Sequence, residues 1–551
     1  MAQKLELTWY GKEDKFTVEP RIMIENKALS NTKHDENTEN ILIHGDNLLA
    51  LKALEKKYAG KVKCIYIDPP YNIDAATGHY DDNLEHSQWL SLMRPRLELL
   101  RSLMSDDGLI FVQIDDNEQA YLRVIMDEIF GRSNFISTVA VKMSTVSGVK
   151  TAHRDKTILK EKELIHVFSK DKDYIKLKPQ YVPVYEWDKE FQYYLDRGES
   201  NDPNDWKVTR LKDVLEVNRI PYNPENKSFK KFVEEHKSSI WRRAFIRNRF
   251  KQLSQDNPDK VFRNISDEKE HLYYRGREMF FLCDKYHDCF TEDGVVNEMS
   301  VLLADMWMDI NTGKLFNEGG VEFRNSKKPE FLVSRILNLA TNENDLVLDS
   351  FLGSGTTAAV AHKMNRRWIG IEMGDHAYTH CKVRLDSVIE GSDQGGITKT
   401  LDWQGGGGYK FYELAPSLIK EDNFGELVIN KEYSADMLAS AVALHEGFTY
   451  QPSDELFWKQ SKGNEKSFLF VTTRFIDQEY LARIKETMHD DEFLIIACKS
   501  YDSACEYQFK NIKIKKIPNM LLSKCEFGKD NYNLNIINPP IYEDEEEDDE
   551  E

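Results

Sequence analysis

Asp68-Pro69-Pro70-Tyr71 ends a short apolar strand, Cys64 to Ile67, on an acid, two prolines and an aromatic ring. Neither proline has an N–H for a sheet ladder, so the strand stops there and the turn after it is stiff. Such stiffness suits groups that must be in position before a ligand arrives. The chemistry it could serve is alkylation of an exocyclic amine, whose lone pair is drawn into its aromatic ring. An acceptor on each amino hydrogen pulls the nitrogen towards tetrahedral geometry and frees that lone pair. Asp68 supplies one acceptor. The carbonyl of Pro69, left unpaired by the proline turn that Pro70 completes, supplies the other. Tyr71 offers a face for stacking a base rotated out of a duplex. Read alone, the four residues could also be a plain strand-ending turn.

A second stretch changes the balance. LVLDSFLGSGTT places Asp349 at the end of an apolar strand, with Phe351, Gly353, Gly355 and Thr356 in the turn that enters an alanine-rich helix. Glycines there let the backbone approach a ligand and the helix pack closely on the sheet. Phe351 offers an aromatic wall. Glu372 ends the strand RRWIGIEM 23 residues beyond Asp349, about where an acid would accept both ribose hydroxyls. No Gly-Lys-Ser/Thr follows, so the turn is not a phosphate-gripping loop and suits a nucleoside without a polyphosphate tail. S-adenosylmethionine is the expected cofactor. Its sulfonium methyl is already activated, so direct transfer needs no covalent enzyme intermediate. No Pro-Cys dipeptide occurs, as a cytosine-C5 methylase would require.

These turns need a scaffold. ILIHGDNLLALKALEKK reads as strand, turn and helix. Trp89, Met93, Leu97, Leu100 and Met104 recur at steps of three and four, which predicts one helical face over 87–104. Gly108 is expected as a left-handed cap after that helix, followed by a buried strand, LIFVQID, and a helix capped at Gly131. Strand and helix alternate again from Pro329. The expected fold class is α/β: a doubly wound Rossmann-like sheet carrying an insert, with a smaller mixed α/β domain at the C-terminal end. Residues 1–40 read as an arm, 41–170 as the catalytic half and 171–322 as the insert. Residues 323–400 form the cofactor half, Trp403 to Tyr409 a hinge, 415–540 a further domain and 541–551 a disordered acidic tail.

The 551 residues are enough for two to four domains. The opening residues lack a secretory h-region and no run approaches the roughly 18 apolar residues of a membrane span, so no membrane partner is expected. Seven irregularly spaced cysteines argue for a reducing cytoplasm. Cys283, His287 and Cys289 lack a second paired half, and no metal is expected; they read as thiols on a hairpin. The net charge of −20 is uneven, because the last nine residues are all acidic. Residues 141–280 hold 30 Lys and Arg against 23 Asp and Glu. There, WRRAFIRNRF makes Arg242, Arg243, Arg247 and Arg249 candidates for phosphate contacts, or else a solvated helix face.

With the Asp68–Tyr71 motif first, a large insert next and the Phe351–Gly355 motif last, the sequence resembles the amino-group DNA methyltransferases of the beta motif order. Aspartate at the first motif position implies adenine-N6 specificity. RNSKKPEFLVSRIL is similar to that family's segment ahead of the cofactor strand, which implies that Lys328 helps close the cofactor pocket. GDN at Gly45–Asn47 resembles its adenine-contacting turn, which makes Asp46 a further cofactor candidate. YNIDAATGHYDDNLEHSQWL and the residues after it, with WQGGGGYKFYEL, resemble the modification subunits of type III restriction–modification systems. That resemblance implies a homodimer acting on double-stranded DNA, a target-recognition role for the insert, and a partner restriction subunit that carries helicase and nuclease activity. It leaves dimerisation or partner docking to the C-terminal domain. Other readings are a stand-alone DNA methyltransferase, a methyltransferase of RNA or of a protein amide, and a binding module with a vestigial site.

Overall fold

The computed structural model describes residues 6–13, 17–72, 86–144, 158–246, 249–266, 269–313, 315, 318–323, 327–464 and 466–529. Arg247 and the acidic tail at 541–551 lie outside them. The chain divides into two compact units, one of residues 1–178 and 305–551 and one of Pro179–Ala304.

The larger unit is built on a ten-stranded sheet. In chain order its strands are β1 (Met23–Glu25), β2 (Ile41–His44), β3 (Val62–Ile67), β4 (Met104–Ile114) and β5 (Phe135–Lys142). They continue with β6 (Lys162–Ser169), β7 (Met306–Trp307), β8 (Leu346–Asp349), β9 (Arg367–Glu372) and β10 (Lys410–Leu414). Across the sheet they run β1-β10-β2-β9-β8-β3-β4-β6-β5-β7. The six strands from β10 to β4 are parallel to one another. β1 pairs antiparallel with β10, and β6 antiparallel with both β4 and β5. Helices on both faces explain why the central strands read as unbroken apolar runs: all four residues of β8 and Cys64–Ile67 of β3 are buried.

From β3 the chain passes through α1 (His86–Leu103) to β4, on one side of the sheet. From β8 it passes through α2 (Thr356–Lys363) to β9, on the other. β3 and β8 are neighbours, Val347 lying opposite Cys64 and Leu348 opposite Ile65. The strand order therefore reverses between them, and a crevice opens where their carboxyl ends diverge.

The expected helix over 87–104 is present, with Trp89, Met93, Leu97 and Leu100 fully buried. Gly108 is not its cap. β4 begins directly at Met104, and Gly108 lies within it. A Cβ there would sit 2.8 Å from the Ser105 carbonyl oxygen and 2.9 Å from that of Val62. Close backbone approach, not left-handed geometry, requires glycine. Gly131 does adopt φ +90°.

Two further expectations change. The region read as an N-terminal arm includes β1, whose Met23 pairs with Leu414, and Asn31 bridges Tyr409. The Trp403–Tyr409 stretch is therefore no hinge. It leads into β10 inside the sheet, with Tyr409 buried. Sequence periodicity could not show this, because an edge strand of three residues has no period to read.

The compact insert is narrower than 171–322. It holds a six-stranded antiparallel sheet and a three-stranded one. The strand Ile240–Ala244 covers the first four residues of WRRAFIRNRF, which are therefore not a helix face. The hairpin expected around Cys289 is present, with Tyr286–Thr291 paired to Gly294–Leu302. His287 bonds Ser300 Oγ through Nδ1 at 3.0 Å and stacks on Tyr181. Beyond residue 415, Ser467–Thr472, Phe493–Cys498 and Ile512–Lys516 form the parallel part of a five-stranded sheet. This region belongs to the larger unit, where Glu19 accepts hydrogen bonds from the Leu418 N–H and the Ser417 hydroxyl.

Candidate active site

Four neighbouring parallel strands, β2, β9, β8 and β3, each end in a turn that the sequence singles out. These are Gly45–Asn47, the turn after Glu372, Asp349–Gly355 and Asp68–Tyr71. Asp68 and the Asp349–Gly355 turn are 281 residues apart yet line one cleft, with Tyr66, Asp68, Phe323, Lys328, Asp349, Phe351 and Gly353 on its walls.

On the Asp349 side the acids grip backbone. Asp349 accepts the Phe351 N–H at 2.9 Å with one oxygen and the Thr357 hydroxyl at 2.6 Å with the other. Glu372 accepts the Gly353 N–H at 2.7 Å and the Gly374 N–H at 3.0 Å. Gly353 and Gly355 have φ +56° and +83°, left-handed values that side chains resist. A Cβ on Gly355 would also lie 3.2 Å from the Cys381 α-carbon. Thr356 is buried, and its hydroxyl accepts from Arg384 at 2.7 Å. Burial pushes the Asp349 carboxyl up to about 7, against the hydrogen bonds from Thr357 and Phe351. A loop held by acids on its own N–H groups is shaped before a ligand enters.

Asp46 has other work than the sequence suggested. One oxygen caps the helix Asn47–Tyr58 by accepting the Leu49 N–H at 3.1 Å, and the other pairs with buried Arg96 at 3.0 Å. It lies beside the site nonetheless. Gly45 donates its N–H to the Glu372 carbonyl at 3.0 Å, and the Asn47 amide donates to the Ser350 carbonyl at 2.8 Å.

On the Asp68 side the partners are side chains. The Tyr71 hydroxyl lies 2.6 Å from Asp68 Oδ1 and 2.7 Å from Glu163 Oε2. The Lys328 ammonium reaches the Tyr71 hydroxyl at 2.7 Å, Glu163 Oε2 at 3.0 Å and Asp68 Oδ2 at 3.2 Å. It also lies over the Tyr71 ring, 4.8 Å from the centroid. Lys328 thus lines the cleft but is bound to the Asp68–Tyr71 turn. Trp89 donates to the Pro70 carbonyl at 2.8 Å, while the Pro69 carbonyl has no partner among the described residues. Burial raises the Asp68 carboxyl to about 6 despite the Lys328 charge beside it, and the Glu163 anion adds to the rise. Glu163 itself is held below the ordinary carboxylate range, since Lys328 and the bonds from Tyr71 and Gln113 outweigh its burial.

Sequence reasoning missed Glu163, Gln113 and Tyr66. Glu163 stands 92 residues from Tyr71 and 165 from Lys328, and its only local signal is an acid opening an apolar strand. The arginines of the smaller unit divide. Arg242 is paired with Glu190 and lies 3.7 Å from Asp188, so its charge is compensated within the unit and it is no free phosphate contact. Arg243 and Arg249 are exposed. Among the described residues no cluster of three His, Cys, Asp or Glu could hold a metal, and no helix is long and apolar enough to cross a membrane.

Over 421 residues the chain is 37% identical to the "Probable type III restriction-modification enzyme HindVI Mod subunit" of Haemophilus influenzae, covering 70% of this chain and 55% of that one. It is 26% identical to the type III EcoPI Mod subunit of Escherichia phage P1, over 66% of this chain and 62% of the other. The type II methyltransferase M.EcaI of Enterobacter cloacae is 29% identical over 60% of this chain and 66% of its own length. The chain thus spans between about half and two thirds of the length of these relatives. A DNA methylase family model matches residues 62–382, from the strand before Asp68 to beyond Glu372. More than half the chain and both motif turns fall inside that match, so the chain belongs to the N6/N4 DNA methylase family.

Proposed function

We propose that this protein transfers a methyl group from S-adenosylmethionine to the N6 amine of an adenine turned out of double-stranded DNA. The observation that carries the reading is the convergence of the Asp68–Tyr71 and Asp349–Gly355 turns on one cleft at a reversal of strand order. The cleft fits the cofactor's chemistry: it has an aromatic wall at Phe351, a glycine turn without side chains in the way, and acids around it, while Lys328 on its wall is held by Asp68 and Glu163. Bound there, the cofactor supplies an activated methyl on sulfur.

The chain's own residues prepare the amine. Asp68 accepts one amino hydrogen and the Pro69 carbonyl the other, which localises the lone pair on nitrogen. Tyr71 stacks on the base once its face is exchanged from Lys328 to the substrate. Glu372 is the acceptor for the ribose hydroxyls, and Asp46 stands beside that position. The insert reads the DNA sequence, with Arg243 and Arg249 towards phosphates.

The names of the relatives extend the proposal. The chain acts as the modification subunit of a type III system, as a homodimer in the cytoplasm beside a restriction subunit with helicase and nuclease activity. Similarity to M.EcaI, a type II methyltransferase, favours a second reading, a methyltransferase without that subunit.

Single-molecule sequencing of DNA from a host expressing this chain, with an Asp68→Ala control, tests the reaction. N6-methyladenine on one strand of a short recurring motif, absent from the control, is expected. An unmodified genome despite folded, cofactor-binding protein would sink the DNA reading. Co-purification with a co-expressed helicase–nuclease subunit separates the type III arrangement from the stand-alone one.

A further inference from the structure

Asp68 has a problem that the proposed mechanism leaves unsolved. Both of its oxygens already hold protein donors, Tyr71 at 2.6 Å and Lys328 at 3.2 Å. An incoming amine competes with these donors for the carboxylate, and a donor that it displaces costs free energy if it is left unpaired. The remedy is visible on β6. The Tyr71 hydroxyl carries one proton but lies within hydrogen-bond distance of two carboxylates, so it donates to one at a time. Glu163 Oε2 is the second acceptor, and it is also 3.0 Å from the Lys328 ammonium.

We propose that Glu163 is a positioning residue for methyl transfer: it takes over the Tyr71 hydroxyl and the Lys328 ammonium when Asp68 exchanges them for the substrate amine. The proposal rests on the reading that Asp68 accepts an amino hydrogen. Glu163 is well placed to wait. It sits on β6, whose antiparallel register with β4 puts Leu164 opposite Ile114 and Ile165 opposite Gln113. Gln113 donates to Glu163 Oε2 at 2.5 Å, and the Gln113 carbonyl oxygen accepts the Tyr66 hydroxyl at 2.7 Å. Tyr66 and Gln113 are both buried, so the acceptor is anchored through two strands.

Charge supports the same role. The groups that face Asp68 are Tyr66 from β3, Tyr71 from its own turn, Glu163 from β6, Lys328 from the segment before Glu330, and Asp349 from β8. Lys328 is the single cation among them and is shared by Asp68 and Glu163. Without the Glu163 charge, Lys328 belongs to Asp68 alone and holds it in a closed ion pair.

Glu163→Gln keeps the shape and removes the charge. Its kcat should fall about tenfold or more, with S-adenosylmethionine affinity within about twofold of wild type by calorimetry. The acid limb of its pH–rate profile should move to lower pH, since removing a neighbouring anion eases ionisation of Asp68. Glu163→Asp should recover most of the limb's position. Carbon-13 NMR titration of the Asp68 carboxyl, assigned by its loss in Asp68→Asn, reads the same coupling without a methyl acceptor. An unmoved midpoint in Glu163→Gln overturns the inference, whether kcat is unchanged or falls together with cofactor affinity. If the wild type methylates no DNA adenine, the proposed function fails, and the NMR midpoint still decides the role of Glu163.

Discussion

Asp68 and Asp349 end neighbouring strands of one sheet, and their carboxylates are held in opposite ways. Asp349, with Glu372 one strand further on, accepts backbone N–H groups of the turns around it. Those donors cannot leave without unfolding the turn. Asp68 accepts from a tyrosine hydroxyl and a lysine ammonium, both on side chains that have Glu163 as a second acceptor. One pair of acids therefore shapes a loop, and the other acid is poised to change partners. A cofactor pocket needs the first arrangement and a reacting centre the second.

Substitutions should separate the two. Asp68→Ala removes an acceptor used in the chemical step, worth roughly 3 kcal/mol, so kcat should fall about a hundredfold or more. Cofactor affinity should stay within about twofold. Loss of affinity along with rate would break the comparison, since it would make Asp68 part of the cofactor pocket. The pH profile comes next. Ionised Asp68 is a far better acceptor than the protonated carboxyl, and burial raises its carboxyl to about 6, so kcat should fall, by up to about tenfold per unit, as pH drops below that value. A rate that is flat down to pH 5 would contradict the role.

The same shift has a consequence for stability. The folded protein keeps the Asp68 proton to higher pH than the unfolded chain does. The stability linked to that proton is full at low pH and is lost as pH rises through about 6. Asp68→Asn, which cannot ionise, should therefore gain stability relative to wild type between pH 5 and 7, as read by urea midpoints.

Glu372→Ala leaves two part-buried N–H groups, of Gly353 and Gly374, without their acceptor, at a cost of about 1 kcal/mol each. Cofactor affinity should weaken about tenfold while kcat at saturation stays close to wild type. Unchanged affinity would remove Glu372 from the pocket. The smallest effect is expected for Gly355→Ala, which forces a left-handed residue and a 3.2 Å contact with the Cys381 α-carbon. A loss of about 1 kcal/mol in stability should appear as a lower urea midpoint. No change would mean that the turn relaxes freely, against the rigidity argued for it.

Much of the site was legible because it rests on short-range rules. Two prolines after an acid stop a strand wherever they occur, and glycines after an apolar strand mark a turn that a side chain would block. The helix over 87–104 was equally legible, since its buried face repeats every three to four residues. Gly108 shows the limit. A glycine after a helical pattern reads as a cap, but here the backbone of a neighbouring strand excludes a Cβ. Arg242 shows another, for a basic run says nothing of which charges are already paired with acids on adjacent strands.

The sequence alone determined the identity and spacing of the two motif turns, the parallel α/β rhythm and the presence of an insert, because each is encoded within one or two elements. The tertiary structure decided the rest. β3 beside β8 brings together turns 281 residues apart, and sheet register sets Glu163 against Tyr71 and Lys328. An N-terminal strand of three residues closes one edge of the sheet. Those facts depend on which strand lies next to which, and hydrogen bonding between distant strands leaves no local period in the chain to read.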